Sequence, residues 1–122
     1  MKVWILILFL MTISDAEITK CVVGEASNQG YKGMLAVAET IRHRIGLGWG
    51  LKGIYGCSKA EGRGEPMWVW KMAKKAVSAS KNTNISCGAT HWENVGAFGK
   101  PPWAKAMTIT VVIGDHTFYK ER

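Results

Sequence analysis

The stretch that decides the fold is Gly88–Lys120, GATHWENVGAFGKPPWAKAMTITVVIGDHTFYK. Thr108 to Ile113 alternates threonine with isoleucine and valine, the mark of a half-buried strand. Gly114-Asp115 reads as a hairpin turn or a bulge, and His116 to Tyr119 continues extended. The rest of the block packs His91, Trp92, Asn94 and Trp103 among glycines and the Pro101-Pro102 pair. Polar hydrogen-bonding groups, flat rings and turn residues in one segment suit a groove for a hydroxyl-rich ligand rather than a core layer.

Ahead of this block the periodicity is helical. Residues 17–26 form a short helical element ending near Glu25-Ala26, and Ser27-Asn28-Gln29-Gly30 is turn chemistry. Met34, Val37, Ala38, Ile41 and Ile45 make the apolar stripe of a helix over 31–45. Gly46, Gly48 and Gly50 end it. Residues 47–66 are glycine-rich and expected to be a loop with short turns. A third helix spans 68–80, with Val69, Met72, Ala73, Ala76 and Val77 on one side, and 81–84 is a polar connector. Helices first and a small antiparallel sheet last make the expected class α+β, in one domain.

The first residues read differently. Lys2, the apolar run Val3–Ile13 and the small-residue ending Ser14-Asp15-Ala16 have the layout of a secretory signal peptide over 1–16. The run is too short for a membrane span of roughly 20 residues. Cleavage after Ala16 leaves residues 17–122 as the mature domain, expected to be exported, monomeric and without a membrane span. The chain carries 16 basic and 9 acidic residues, net +7, and losing Lys2 and Asp15 with the leader keeps that balance. A basic exported domain is drawn to polyanions such as cell walls. Nucleic acid is the weakest partner, since no recognised motif accompanies the charge. Lys71, Lys74 and Lys75 are expected on a solvated helix face.

Three cysteines, Cys21, Cys57 and Cys87, fit an oxidising compartment. Cys57 and Cys87 lie in turn-like Gly-Cys-Ser and Ser-Cys-Gly settings and are the expected disulfide. Such a bond contributes roughly 3–4 kcal/mol when unstrained. Cys21 would then stay free or buried, or act as a nucleophile. No zinc-like Cys-x-x-Cys or His-Glu-x-x-His spacing occurs, so neither metal nor cofactor is expected.

Among the carboxylates Glu25 stands out, set between Val22-Val23-Gly24 and Ala26 at an element's end. Burial favours the neutral, proton-donating form of a carboxyl, which suits a general acid. Periodicity alone favours a glutamate bonded to backbone at a helix end. Glu39 lies off the apolar stripe and reads as a surface or helix-pairing residue. Glu93 and Asp115 lie in the C-terminal block and could approach a groove.

Two blocks in this order resemble the SleB/CwlJ-type cell-wall hydrolases, the family that includes spore-cortex-lytic enzymes. The first is Glu25-Ala26, Gly33, Ala36-Val37-Ala38 and Arg44. The second is Gly88-Ala89, His91, Asn94, Pro102-Trp103 and Ile113-Gly114-Asp115-His116-Thr117-Phe118-Tyr119. Together they cover about half of residues 17–122. His43 stands where the family has asparagine, Ser27-Asn28-Gln29 replaces the usual turn, and residues 47–66 do not match the usual Gln-Phe-Ser element. The resemblance implies a goose-lysozyme-like, lytic-transglycosylase-like fold with Glu25 as catalytic acid, acting on peptidoglycan glycan strands. His91, Asn94, His116 and Tyr119 are candidate substrate hydrogen-bonders and Trp103 a sugar platform. Trp92, alternating with His91, is expected to face the core with Phe118; the sides taken by His116 and Tyr119 stay open. Competing readings are a wall amidase, with Cys21 and His91 as nucleophile and base, and a non-catalytic wall-binding module.

Overall fold

The computed structural model describes residues 12–122. Helix α1 spans Asp15–Ala26, α2 Gly30–Gly46, α3 Met67–Ala79 and the short α4 Val95–Phe98; strands β1, β2 and β3 span His91–Glu93, Met107–Ile113 and His116–Glu121. The α+β expectation holds. The C-terminal third is less uniformly extended than its sequence suggests, because α4 and a 3₁₀ turn at Pro102–Ala106 lie between β1 and β2. Asn94 starts the first of these by accepting from the Ala97 amide, and Pro101-Pro102 start the second.

Helix α1 is the centre of the core. Ile18, Cys21, Val22, Val23 and Ala26 are all at most 1% exposed, flanked by Met34, Val37 and Ile41 of α2 and by Val69, Ala73, Ala76 and Val77 of α3. Each fully buried aliphatic side chain contributes roughly 1.5–3 kcal/mol. The antiparallel sheet, in the order β1-β3-β2, closes one end of the helices through Ile113 and Phe118. Its register pairs His91 with Tyr119 and Trp92 with Phe118 on one side, and Ile113 with His116 on the other. A bulge at Thr110 offsets β2 between Ile109 and Val111. The Gly114-Asp115 hairpin tip is held by Gln29, which accepts from the Asp115 amide (2.9 Å) and donates to the Asp115 carboxylate (3.0 Å). The turn after α1 thereby carries the far end of the sheet.

Polar staples finish the packing. Arg42 of α2 donates to Ser80 Oγ (2.7 Å), the Val77 carbonyl (2.8 Å) and Asp15 (3.1 Å). Glu39 is not a surface residue. It is fully buried and accepts from Thr83 Oγ1 (2.5 Å), Ile85 N (3.0 Å) and Ser86 N (2.8 Å), holding the connector after α3 against α2. The stripe pattern misses it because its position borders the connector, not solvent.

The disulfide also differs from expectation. Cys57 bonds to Cys21, and Cys87 is exposed and free. Cys21 points from the buried face of α1 towards the 3₁₀ turn Tyr55–Ser58, which lies against that helix. Cys87 sits in a separate turn with φ +57°.

Residues 1–11 of the expected leader lie outside the described residues. Among the described residues no helix is long and apolar enough to cross a membrane. Helix α1 begins before the expected cleavage point: Ser14 and Glu17 form a capping box, and Asp15 binds Lys81 (2.9 Å) as well as Arg42. Lys81 foremost, opposed by partial burial and aided by Arg42, holds the Asp15 carboxyl below its ordinary range. That depressed value makes the contribution of Asp15 present above about pH 4 and lost as pH falls through the folded value.

A chain beginning at Glu17 should therefore melt below one beginning at Ser14. The lost cap is worth about 1 kcal/mol, and the half-exposed ion pairs add less than that. Thermal melts of the two chains, and of Asp15→Asn across pH, check this; the Asp15→Asn deficit should vanish in acid. Glu39→Gln, which aims an amide N–H at donors in a dry site, should cost roughly 2–4 kcal/mol by chemical denaturation.

Candidate active site

Glu25 sits in the last turn of α1, where the helix crosses the 3₁₀ turn Tyr55–Ser58. The crossing is made by two glycines. A Cβ on Gly24 would lie 1.8 Å from the Gly56 carbonyl oxygen, and one on Gly56 would lie 2.5 Å from Glu25 Oε2. Only bare backbone permits this approach. It brings the Gly56 amide to Glu25 Oε2 at 2.7 Å, while Trp92 Nε1 donates to Oε1 at 3.1 Å. Both carboxyl oxygens are thus fixed, one from the segment before α3 and one from β1. The Cys21–Cys57 bond ties the first of these segments to α1 one residue beyond Gly56.

Trp92 does not simply face the core. Its ring packs against the buried cluster while its N–H reaches the carboxyl. Strand alternation assigns one face to a side chain but does not report the polar edge of a ring as wide as indole.

The approach to β1 is set by α2. His43 Nδ1 lies 2.7 Å from the Ala89 carbonyl, and Arg44 donates to the Thr90 carbonyl (2.9 Å) and the Lys52 carbonyl (2.9 Å). The Arg44 guanidinium also lies over the Trp49 ring, 5.2 Å from its centroid. Consecutive residues of one helix therefore position both the strand carrying Trp92 and the loop leading to Gly56. His43 thus supplies a ring nitrogen to backbone.

Glu25 opens into a cleft of about 660 Å³. One wall comes from the segment before α3, with Tyr55, Lys59 and Arg63; the other comes from β1, α4 and the turn after it, with His91, Glu93, Asn94, Phe98 and Trp103. His91, Asn94, Trp103 and His116 all line it, as does Glu25. Tyr119 does not. It is 2% exposed and stacks edge-on beneath Trp103, with 5.2 Å between ring centroids. Trp103 also meets His91 at 4.9 Å, so the exposed indole rests on two rings. A second hollow of about 420 Å³ continues past the His91–Trp103 wall towards Glu121 and Arg122.

Burial, aided at His91 by the nearby Arg44 charge, pushes the pKa of His91 and of His116 below the ordinary histidine value; Glu121 and Asp115 respectively oppose it. Both imidazoles are therefore neutral at neutral pH and able to donate and accept. His116 Nδ1 is buried without a protein partner among the described residues.

Of the other acids, Glu93 lines the cleft and accepts from the Asn94 amide (3.0 Å), whereas Asp115 is engaged at the hairpin tip and does not line it. Cys21 is fully buried and disulfide-bonded, so the cysteine–histidine pair is not available. Sequence reasoning missed Tyr55 and Phe98, 77% and 78% exposed, which both line the cleft. Their signal was aromatic side chains in glycine-rich segments without core periodicity. It also missed Lys59 and Arg63.

No family model matches the chain, and no curated protein matches it. Two solved structures are similar in fold. The catalytic domain of the germination-specific lytic transglycosylase SleB from Bacillus anthracis aligns with a TM-score of 0.69 and 23% identity, over 90% of this chain and 98% of that domain. The catalytic domain of the Bacillus cereus SleB protein aligns with a TM-score of 0.67 and 22% identity, over 90% and 94%. The chain has the fold of the SleB catalytic domain.

Trp92→Phe keeps the ring in the core but removes the N–H from Glu25. Under the peptidoglycan-cleaving function proposed below, turnover should fall about tenfold or more, as for a lost charge-assisted hydrogen bond, with little change in melting temperature. Turbidity clearance and a thermal melt on the same sample check this.

Proposed function

We propose that the protein is an exported peptidoglycan-degrading enzyme that cleaves the MurNAc–GlcNAc bond as a lytic transglycosylase, with Glu25 as general acid and then base. The observation that carries this reading is the placement of Glu25. It is a carboxyl hydrogen-bonded at both oxygens that lines the cleft of about 660 Å³, in a fold like that of the SleB domains.

In the first step the protonated Glu25 gives its proton to the bridging glycosidic oxygen as the bond from muramic C1 to that oxygen breaks. The carboxylate then removes the proton from the muramic C6 hydroxyl while O6 bonds to C1. A 1,6-anhydro sugar and a free hydroxyl result, water is neither consumed nor released, and Glu25 regains its proton. One carboxyl suffices, whereas hydrolysis usually employs two. The fixed orientation of the carboxyl lets it serve both oxygens without searching rotamers. In this reading His91, Asn94 and His116 are hydrogen-bonding groups for the sugars. Trp103, Tyr55 and Phe98 offer flat apolar faces to the carbon faces of the rings.

A hydrolytic outcome has one specific support, the presence of Glu93 in the same cleft. Mass spectrometry of the muropeptides released from purified peptidoglycan separates the readings. Anhydro-muropeptides, absent with Glu25→Gln, are expected. Reducing-end products of ordinary mass would assign Glu93 the role of base in hydrolysis. Free stem peptides would indicate an amidase, and release undiminished by Glu25→Gln would overturn the role of Glu25.

A further inference from the structure

The cleft is charged asymmetrically. Its two carboxylates, Glu25 and Glu93, are both bonded to N–H donors. Its cations fall into two kinds. Arg44 is spent on the Thr90 and Lys52 carbonyls. Lys59 and Arg63 are not so committed. Among the described residues neither lies within 4.0 Å of a carboxylate, and both are exposed on the wall that carries Gly56. Arg63 is anchored by a hydrogen bond from its guanidinium to the Gly24 carbonyl. That single bond leaves further N–H donors of the fork without a protein partner among the described residues. Lys59 follows the disulfide by two residues, and its backbone amide donates to the Gly56 carbonyl (3.1 Å). The two cations are thus mounted on a segment bonded covalently to the catalytic helix, beside the Glu25 clamp.

We propose that Lys59 and Arg63 form a carboxylate-binding subsite, and that the enzyme selects glycan whose substituents next to the cleaved bond carry free carboxylates over glycan in which those groups are amidated or otherwise neutralised. The subsite rests on the peptidoglycan reading above and deepens it. A carboxylate taken up there replaces water around two exposed cations, one of them a guanidinium with paired donors that match carboxylate geometry. The segment that carries them, residues 47–66, is also where the sequence departs from the family pattern. The general attraction of a +7 protein for a polyanion differs from such a subsite, because it does not depend on which lysine is removed.

The test uses soluble uncrosslinked glycan strands with attached peptides, native or with their carboxylates converted to amides. Binding to Glu25→Gln protein and cleavage by wild-type protein are measured on both. Amidation should weaken binding about tenfold in the Glu25→Gln background, and adding Lys59→Ala should weaken native-strand binding by a similar factor while leaving amidated-strand binding unchanged. Lys71→Ala, at an exposed α3 position that does not line the cleft, should weaken native-strand binding only slightly and leave amidated-strand binding unchanged. Equal effects of Lys59→Ala on both strands, or a coupling as large for Lys71→Ala, would overturn the subsite. Arg63→Lys guards against loss of fold, since it keeps charge but not the fork; a selectivity unchanged in Arg63→Lys and in Lys59→Ala alike counts against the proposal. If wild-type protein cleaves neither strand, the glycosidase reading fails, and the binding comparison still decides the subsite.

Discussion

The contact on which the site depends is between two backbones, Gly24 of α1 and Gly56 of the turn that crosses it. A methyl group at either position would occupy space held by the other segment or by Glu25 itself. Because neither glycine has a side chain, the Gly56 amide approaches close enough to hold Oε2. The Cys21–Cys57 bond, one turn of helix back from Glu25, removes the freedom of that segment to drift away. A backbone donor fixed this way loses no side-chain entropy on engaging the carboxyl, unlike a lysine or arginine asked to do the same. The helix supplies the acid, and the otherwise irregular segment supplies its orientation.

A second chain of constraint runs through α2. Its apolar stripe buries Met34, Val37 and Ile41 against α1, which fixes the helix in rotation. With that rotation set, Glu39 meets the connector at Thr83–Ser86, and His43 and Arg44 meet the carbonyls of Ala89 and Thr90. The strand that follows has only three residues, too few to define its own position. Pairing with β3 and the tethers from α2 together decide where Trp92 lies, and so whether its indole reaches Glu25. Loss of a staple far from the cleft would therefore be felt there as a displaced hydrogen bond.

The helices and the hairpin were legible because each repeats a period: 3.6 residues in 31–45 and 68–80, two residues in 108–113. Glu25 was legible as an acid in apolar company, although the role proposed for it came from resemblance to a family. What the sequence hid depends on chain segments meeting. Nothing local to Cys21 indicates that its helix face meets Cys57, and the turn-like settings of Cys57 and Cys87 pointed to the wrong pair. Glu39 looked superficial because a helix position off the apolar stripe can face solvent or another segment, and the helix alone does not distinguish them. Trp92 and Tyr119 show the limit of alternation in strands. Tyr119 lies under Trp103, and Trp92 uses one edge for the core and another for the acid.

The likeness to the SleB domains at 22–23% identity is understandable on these terms. A buried helix needs apolar volume rather than particular residues, and many sequences satisfy it. The geometry of an acid clamped from two sides is far less forgiving. Here it is met by a glycine crossing, a disulfide and one indole N–H. Between those fixed points, the exposed rim of the same segment is free to vary, since Tyr55, Lys59 and Arg63 contribute little to the core. Rigidity at Gly56 and freedom at the rim are properties of one short stretch of chain. That arrangement allows what the cleft accepts to change while the acid stays where it is.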